Sequence, residues 1–495
     1  MAPRHTPSNP IRILFATSEV RPLIKTGGLA DVSAALPVAL HHLGADVRVL
    51  IPGYRQVLAS LKKKHVQAKL SLPFGHAEIH LLSANLPGTK IPILIVDYPP
   101  FFDREGGPYL MPNGMDWPDN ALRFGLLSWV AAKLAQPDSP LDWQPDVIQC
   151  NDWQTGMTPA YLHYAPHRVP CVMAIHNLAY QGIFSPDTVS DLGLPHQCFD
   201  INGVEYYGNV SFLKAGIHYA DHITTVSPTY AEEIQVEPLG FGFQGLLSHR
   251  GAQLTGILNG IDLEVWNPQK DGHLFKNFSV KDLSGKAANK QDLQEKLGLE
   301  INPDIPLLAV ISRITHQKGL DLLLQVLPEV LQHPAQFVLL GSGETALEQA
   351  FQRLAKGNKG QVSATIGYNE DLSHQIEAGA DIFLMPSRFE PCGLNQMYSM
   401  RYGTLPVVHC TGGLADTVTD ASPENVISGK ATGFVFHQME TEDIQAAIVR
   451  AMTAYHDKHL WQTLQRNAMA RDFSWDRSAK EYLDIYSRLK LSAIY

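Results

Sequence analysis

Six residues occur twice in this chain, as Thr26-Gly27-Gly28-Leu29-Ala30-Asp31 and again as Thr411-Gly412-Gly413-Leu414-Ala415-Asp416. Each copy follows a short apolar run and precedes an apolar pattern of helical period, so each reads as a strand-to-helix turn. A strand that empties through a turn into a helix commits its part of the chain to a parallel sheet covered by helices. Paired glycines let backbone N–H groups approach a ligand closely. A helix N-terminus carries about +0.5 of a charge, so either turn can receive an anion. Taken singly, each is equally an ordinary turn with an Asp near the N-cap. Taken together, they suggest two lobes facing one ligand.

The same alternation runs along the chain. A strand at 11–17, a helix at 31–43 ended by Gly44 and a strand at 46–52 form a βαβ opening. Strands at 146–150, 171–176 and 222–226 continue it, with helices at 119–135, from 155 and at 210–220. Residues 76–86 and 91–96 alternate and are expected as a hairpin beside the sheet. Residues 103–118, rich in Gly, Pro and Asn, read as a long surface loop. At 495 residues the chain is too long for one core. The lobes are expected to cross near 255–262. That gives domains at 11–257 and 258–474, with a final helix at 475–495 packing back on the first. In the second lobe the alternation restarts at 306. Residues 381–416 there read as strand, loop, helix, strand, loop, helix.

Composition narrows the chemistry. An apolar fraction of 45% and a charged fraction of 18% describe a globular protein. A net charge of −10 without a long basic run excludes nucleic-acid binding driven by phosphate contacts. No apolar run reaches membrane-spanning length. The polar residues 1–10 hold no apolar signal core. Cys150, Cys171, Cys198, Cys392 and Cys410 are odd in number and show no zinc spacing, so a reducing, cytoplasmic setting is expected.

Candidate reactive groups gather where strands end, the place at which open parallel sheets hold ligands. Arg313 and Lys318 follow a buried strand and suit a diphosphate, Arg with a planar fork and Lys with a movable charge. Lys25 precedes the first glycine pair. Glu390 lies in a loop between Phe389 and Pro391, placed to bind sugar hydroxyls or to balance positive charge at an anomeric carbon. A second carboxylate suited to two-carboxylate hydrolysis is not evident beside it, which argues for group transfer. Asp152 and His176 end strands of the first lobe, where a structural role is as open as a functional one. Gly341-Ser-Gly343-Glu-Thr-Ala346 matches a dinucleotide-type turn and reads equally as a nucleotide-side turn or a structural one. No two aspartates stand one residue apart, the pairing many metal-dependent sugar transferases use. Leaving-group charge would then fall to Arg313, Lys318 and helix N-termini.

In order along the chain, Lys25-Thr-Gly-Gly-Leu-Ala-Asp31, Asn151-Asp-Trp-Gln-Thr-Gly156, His176-Asn-Leu178, Leu258-Asn-Gly-Ile-Asp262, Ser312-Arg313 with Gln317-Lys-Gly319, Pro386-Ser-Arg-Phe-Glu-Pro-Cys-Gly-Leu394 and Thr411-Gly-Gly-Leu-Ala-Asp-Thr417 closely resemble the bacterial glycogen synthases and plant starch synthases. The resemblance implies a GT-B fold, with two Rossmann-like α/β domains facing across a deep cleft. It implies transfer of glucose from ADP-glucose to the non-reducing end of an α-1,4-glucan such as glycogen, with retention. It implies neither metal nor pyridoxal phosphate as cofactor. Carried over residue by residue, it gives Lys25, Gly27, Gly28, Arg313, Lys318 and the turn Thr411, Gly412, Gly413, Leu414 to donor binding, with Asp31, Asn177, Gly341, Cys392 and Gly393 as further candidate substrate-binding residues. Glu390 falls at the sugar, and His176, Asp152, Tyr109 and Asn259 on the acceptor and donor-glucose side. The catalytic set is then Glu390, Lys318, Arg313, His176 and Asp152. Many retaining transferases of this fold place a second Glu on the ribose. Tyr398 stands there in this chain, as in the starch and glycogen synthases. UDP-glucose as donor, or a catalytically silent glucan-binding protein, are the alternatives. The sequence carries no signal for oligomeric state.

Overall fold

A computed structural model describes residues 10–75 and 77–493. The polar residues 1–9, and His76 at the head of the expected strand 76–86, lie outside them. The chain divides into two compact units, residues 1–260 with 475–495, and residues 261–474. The two crossings are neighbours, since Ile261 N–H donates to the Phe473 carbonyl at 2.8 Å.

Unit 1 is built on strands β1 (Arg12–Ala16), β2 (Asp46–Pro52), β3 (His65–Ser71), β4 (Glu78–Asn85), β5 (Pro92–Asp97), β6 (Val147–Asn151), β7 (Cys171–Ile175), β8 (Ile183–Phe184), β9 (Glu205–Tyr206), β10 (Asn209–Ser211), β11 (His222–Thr225) and β12 (Leu254–Gly256). Nine of them form one sheet in the order β12-β11-β7-β6-β1-β2-β5-β4-β3, and β8-β10-β9 form a small second sheet. The nine-stranded sheet is parallel from β12 to β5; β4 runs antiparallel to β5 and to β3. The expected hairpin is β4–β5. The pattern at 66–71 did not announce β3, because that strand is an edge with most side chains in solvent and no buried face to impose alternation. The central strands β6 and β7 are buried at every position, which is why they read as unbroken apolar runs.

The final helix, Trp475–Ser492, belongs to unit 1. Its Tyr486 hydroxyl donates to Gln149 Oε1 of β6 at 2.7 Å, Lys490 pairs with Asp146 at 2.9 Å, and Ser478 Oγ donates to the Leu258 carbonyl.

Unit 2 holds β13 (Leu307–Ile311), β14 (Gln336–Gly341), β15 (Val362–Ile366), β16 (Ile382–Met385), β17 (Leu405–His409) and β18 (Phe434–Phe436), all parallel, in the order β15-β14-β13-β16-β17-β18. Strand order reverses between β13 and β16, as in unit 1 it reverses between β1 and β6. Such switch points open a crevice at the carboxyl ends of the strands. Both units therefore direct the loops of their central strands to a ligand-ready edge.

Candidate functional site

In unit 2 the loops after β13 and β16 meet at the switch point. Lys318 Nζ lies 2.5 Å from Glu390 Oε2, and Ser387 Oγ donates to the same oxygen at 2.9 Å. The side chains of Lys318 and Glu390 are 15% and 8% exposed, so this pair is largely removed from water, unlike an ordinary surface ion pair. The two loops are locked together. Arg388 grips Asp321 with both terminal nitrogens at 2.7 and 2.8 Å, and its backbone N–H donates to the Gln317 carbonyl at 2.9 Å. Gly319 is left-handed at φ +68, and a side chain there would run into the Pro386 carbonyl. Arg313 stands at the exposed rim, its Nη2 3.4 Å from Gln317 Oε1.

The third wall is the turn after β17. Gly412 has φ +45, and a Cβ on it would collide with the Glu390 carbonyl; one on Gly413 would collide with the Cys392 carbonyl. Gly413 N–H donates to the carbonyls of Glu390 and Pro391 at 3.1 and 3.2 Å. These glycines thus fasten the Glu390 loop. Thr411 and Leu414 are buried beside them. Gln396 donates to the carbonyls of Cys392 and Gly393, both at 3.0 Å, closing the loop from below.

Gly341 and Gly343 lie against the backbone of the Arg313 loop. Added side chains would strike the carbonyls of Ser312 and Ile314, and Gly343 N–H is capped by Glu348 at 2.7 Å. Their smallness lets the Arg313 loop lie against β14. Tyr398 stacks on Trp266 at 3.9 Å and packs as a core aromatic.

In unit 1 the switch-point loops carry a different constellation. Buried Glu19 fills the first glycine turn: its carboxylate accepts Thr26 N–H at 2.5 Å, Gly27 N–H at 3.3 Å and the Thr26 hydroxyl at 2.5 Å. The Tyr109 hydroxyl donates to it at 2.5 Å and lies 2.8 Å from Ser18 Oγ. The turn expected to receive an anion already receives one from its own chain. Gly28 is the helix N-cap, and Lys25 leans on Asp31 at 2.9 Å.

Asp152, after β6, has φ +54, unusual for a residue with a side chain. Its Oδ1 accepts His176 N–H at 2.7 Å, and burial raises its pKa to about 7, with Glu19 adding to the rise. His176 Nε2 lies 3.0 Å from Asn151 Oδ1, and the Asn151 amide nitrogen donates to the Ala16 carbonyl. The ring therefore carries its proton on Nε2 and presents the Nδ1 lone pair. Burial lowers its pKa to about 4, so it is neutral near pH 7. Asn177 Oδ1 accepts Ala179 N–H at 3.0 Å. Buried Asn259, after β12, has an Oδ1 with no hydrogen-bond partner among the described residues.

Residues 12–249 match the family described as starch synthase catalytic domain, and residues 291–468 match the group 1 glycosyl transferases. The chain is 56% identical to a glycogen synthase of Nitrosospira multiformis over 481 residues, 96% of this chain and 97% of the relative. A glycogen synthase of Nitrosomonas europaea is likewise 56% identical over 482 residues, 97% of each. This chain belongs to the glycogen and starch synthase family. A solved structure of the catalytic domain of Starch Synthase IV from Arabidopsis thaliana, bound to ADP and acarbose, superposes with a TM-score of 0.87 at 32% identity, covering 98% of this chain and all of that one. The fold is accordingly GT-B and the activity that of a glycosyltransferase.

Of the residues singled out in this synthase, Lys318, Glu390, Cys392, Gly393 and the turn 411–414 form one constellation in unit 2, with Arg313 at its rim. Asp152, His176, Asn177 and Tyr109 gather in unit 1 with Gly27 and Lys25. Sequence reasoning missed Glu19, Ser387 and the Arg388–Asp321 clamp. Arg388 was visible within the quoted motif, but its partner on the helix Leu320–Val330 becomes a neighbour only through the pairing of β13 with β16.

Proposed function

We propose that this synthase transfers a glucosyl group from ADP-glucose to the terminal 4-hydroxyl of an α-1,4-glucan with retention. The observation that carries the reading is the largely buried Lys318–Glu390 pair, held at the unit 2 switch point by Ser387 and the buried glycine turn. On this reading Lys318 and Arg313 take up the charge of the departing diphosphate, with Lys318 turning from Glu390 toward phosphate oxygen as the donor enters. The bond from C1 to the diphosphate oxygen breaks. The bond from C1 to the acceptor oxygen forms on the same face, and the acceptor proton passes to the departing phosphate. Glu390 stays as a carboxylate against the sugar ring. In unit 1, neutral His176 accepts a sugar hydroxyl at Nδ1, Asp152 and Asn177 order the strand end beside it, and Lys25 serves phosphate.

ADP as the nucleotide is supported by the ligand of the Arabidopsis relative. A reducing, cytoplasmic location is supported by an odd number of cysteines, five, with no zinc spacing among them. The test is incubation of purified protein with ADP-glucose and a maltooligosaccharide, following ADP release and the anomeric signal of the new linkage. Stoichiometric ADP and an α-linked extension are expected, unchanged by a metal chelator. No ADP release, or a β-linked product, overturns the proposal; faster turnover of UDP-glucose at equal concentration reassigns the nucleotide.

A further inference from the structure

Arg123 of unit 1 is 1% exposed and has no carboxylate partner among the described residues. Its Nε donates to the Phe101 carbonyl at 2.8 Å, and its Nη1 to the Pro108 carbonyl at 2.9 Å and to Asn120 Oδ1 at 2.6 Å. Nη2 makes no hydrogen bond among the described residues. The nearby acid, Asp119, is already held by both terminal nitrogens of Arg104, at 2.8 and 2.5 Å. The rings of Phe102, Trp117 and Phe124 surround the guanidinium with centroids 5.4–5.6 Å from its carbon. A buried cation without a direct ion pair is costly, and Asp119 acts on Arg123 without a hydrogen bond between the two side chains, its oxygens being taken by Arg104.

A second observation points to the same place. Tyr54 is 5% exposed, and its hydroxyl is buried without a hydrogen-bond partner among the described residues. Tyr54, Arg123 and Trp117 line one cavity of about 20 Å³. That volume holds a single atom-sized ligand, since about 10–15 Å³ suffices for one water. A guanidinium N–H can only donate and a phenolic O–H can donate, so an acceptor satisfies both, and a negative one also neutralises the guanidinium.

We propose that unit 1 binds one small inorganic anion of halide size between Arg123 Nη2 and the Tyr54 hydroxyl. The site lies beneath the segment that carries Tyr109: Arg123 holds the Pro108 carbonyl, and Asn120, which Arg123 also holds, donates to the Tyr109 carbonyl at 3.1 Å. The anion therefore stiffens the loop that presents Tyr109 to Glu19.

Bromide is the probe. In crystals of the full chain grown with sodium bromide, an anomalous peak is expected within hydrogen-bonding distance of Arg123 Nη2 and the Tyr54 hydroxyl. In solution, at fixed ionic strength, replacing gluconate by bromide is expected to raise Tm saturably, by about 2 °C at ten times Kd. Tyr54→Phe is expected to weaken the bromide dependence by about 10-fold or more while remaining at least as stable as wild type in gluconate, because a buried unpaired hydroxyl has been removed. A Tm independent of anion identity, or a refined water in the cavity with no anomalous peak, overturns the proposal.

Discussion

Residues 26–31 and 411–416 are identical in sequence and differ in nearly everything else. The first copy is open: Thr26, Gly27 and Gly28 are exposed, and a side chain added to Gly27 would meet nothing within 4 Å. The second is buried, with Gly412 left-handed and pressed on the Glu390 carbonyl. The amides of the first copy turn to a carboxylate, Glu19, and those of the second to the carbonyls of the loop they fasten. Their places in the fold differ too. The first follows β1, which borders its sheet's switch point; the second follows β17, one strand beyond. The repeat thus records the same local turn used twice, once where a ligand or an anion needs access and once where two chain segments must touch. Glycine is permissive in the first case and required in the second.

The sharpest way to break this comparison is through the lysine that accompanies each constellation. Lys318→Ala should lower kcat by ~10²–10³, the scale for losing a preorganised charge partner. Lys25, itself 36% exposed beside Asp31, should show its loss in KM for the sugar nucleotide. Steady-state kinetics of both variants decides it. A Lys318→Ala enzyme with normal turnover removes that residue from the chemistry.

Next in size are the glycines. Gly412→Ala forces a side chain into a left-handed residue and against a carbonyl, and about 2–4 kcal/mol of stability should be lost. Gly27→Ala should stay within about 0.5 kcal/mol of wild type. Urea unfolding of the two variants side by side is the measurement, and equal midpoints would mean that burial of the second copy is not what distinguishes it.

How much of this was legible in the sequence follows from the same contrast. The loops holding Lys318 and Glu390 could be found because each follows a fully apolar run, and their glycine-broken, charged character is local. Helix limits were read within a few residues: 31–43 against the observed Leu29–His42, and 475–495 against Trp475–Ser492. Glu19 was illegible because its role depends on the chain doubling back, so that a carboxylate follows β1 and returns under Thr26. Gly341 and Gly343 were ambiguous for a related reason. Their signature is the same whether a pyrophosphate or the Ser312 carbonyl approaches, and only the pairing of β13 with β14 decides. The backbone strain at Asp152 leaves no trace in residue type at all.

If Glu19 is the anion of the first turn, Glu19→Gln should cost about 1–3 kcal/mol, as hydrogen bonds to a charged acceptor are weakened. Amide exchange at Thr26 and Gly27 should quicken in step. Unchanged exchange at those two amides would detach the turn from Glu19 and leave it vacant for a ligand, as the second copy is not.

The smallest effect concerns pH and belongs to unit 1. Asp152 is lifted by burial from 3.8 to about 7, so between those values it keeps a proton the unfolded chain has released. A raised carboxyl contributes stability that is present below its unfolded pKa and is lost as pH rises through the folded one. His176 works the other way: its pKa falls from 6.5 to about 4, so the unfolded chain takes up a proton first and stability is lost as pH drops through that window. Between pH 4 and 6.5 the two partly offset. Asp152→Asn leaves an oxygen to accept the His176 N–H and removes only the carboxyl's share. Its urea midpoint relative to wild type should therefore climb from pH 5 to pH 7, whereas Gly412→Ala, which changes no charge, should run parallel to wild type across the same range. Parallel curves for Asp152→Asn as well would mean that Asp152 is ionised in the folded chain and that its setting beside His176 is not the buried one described.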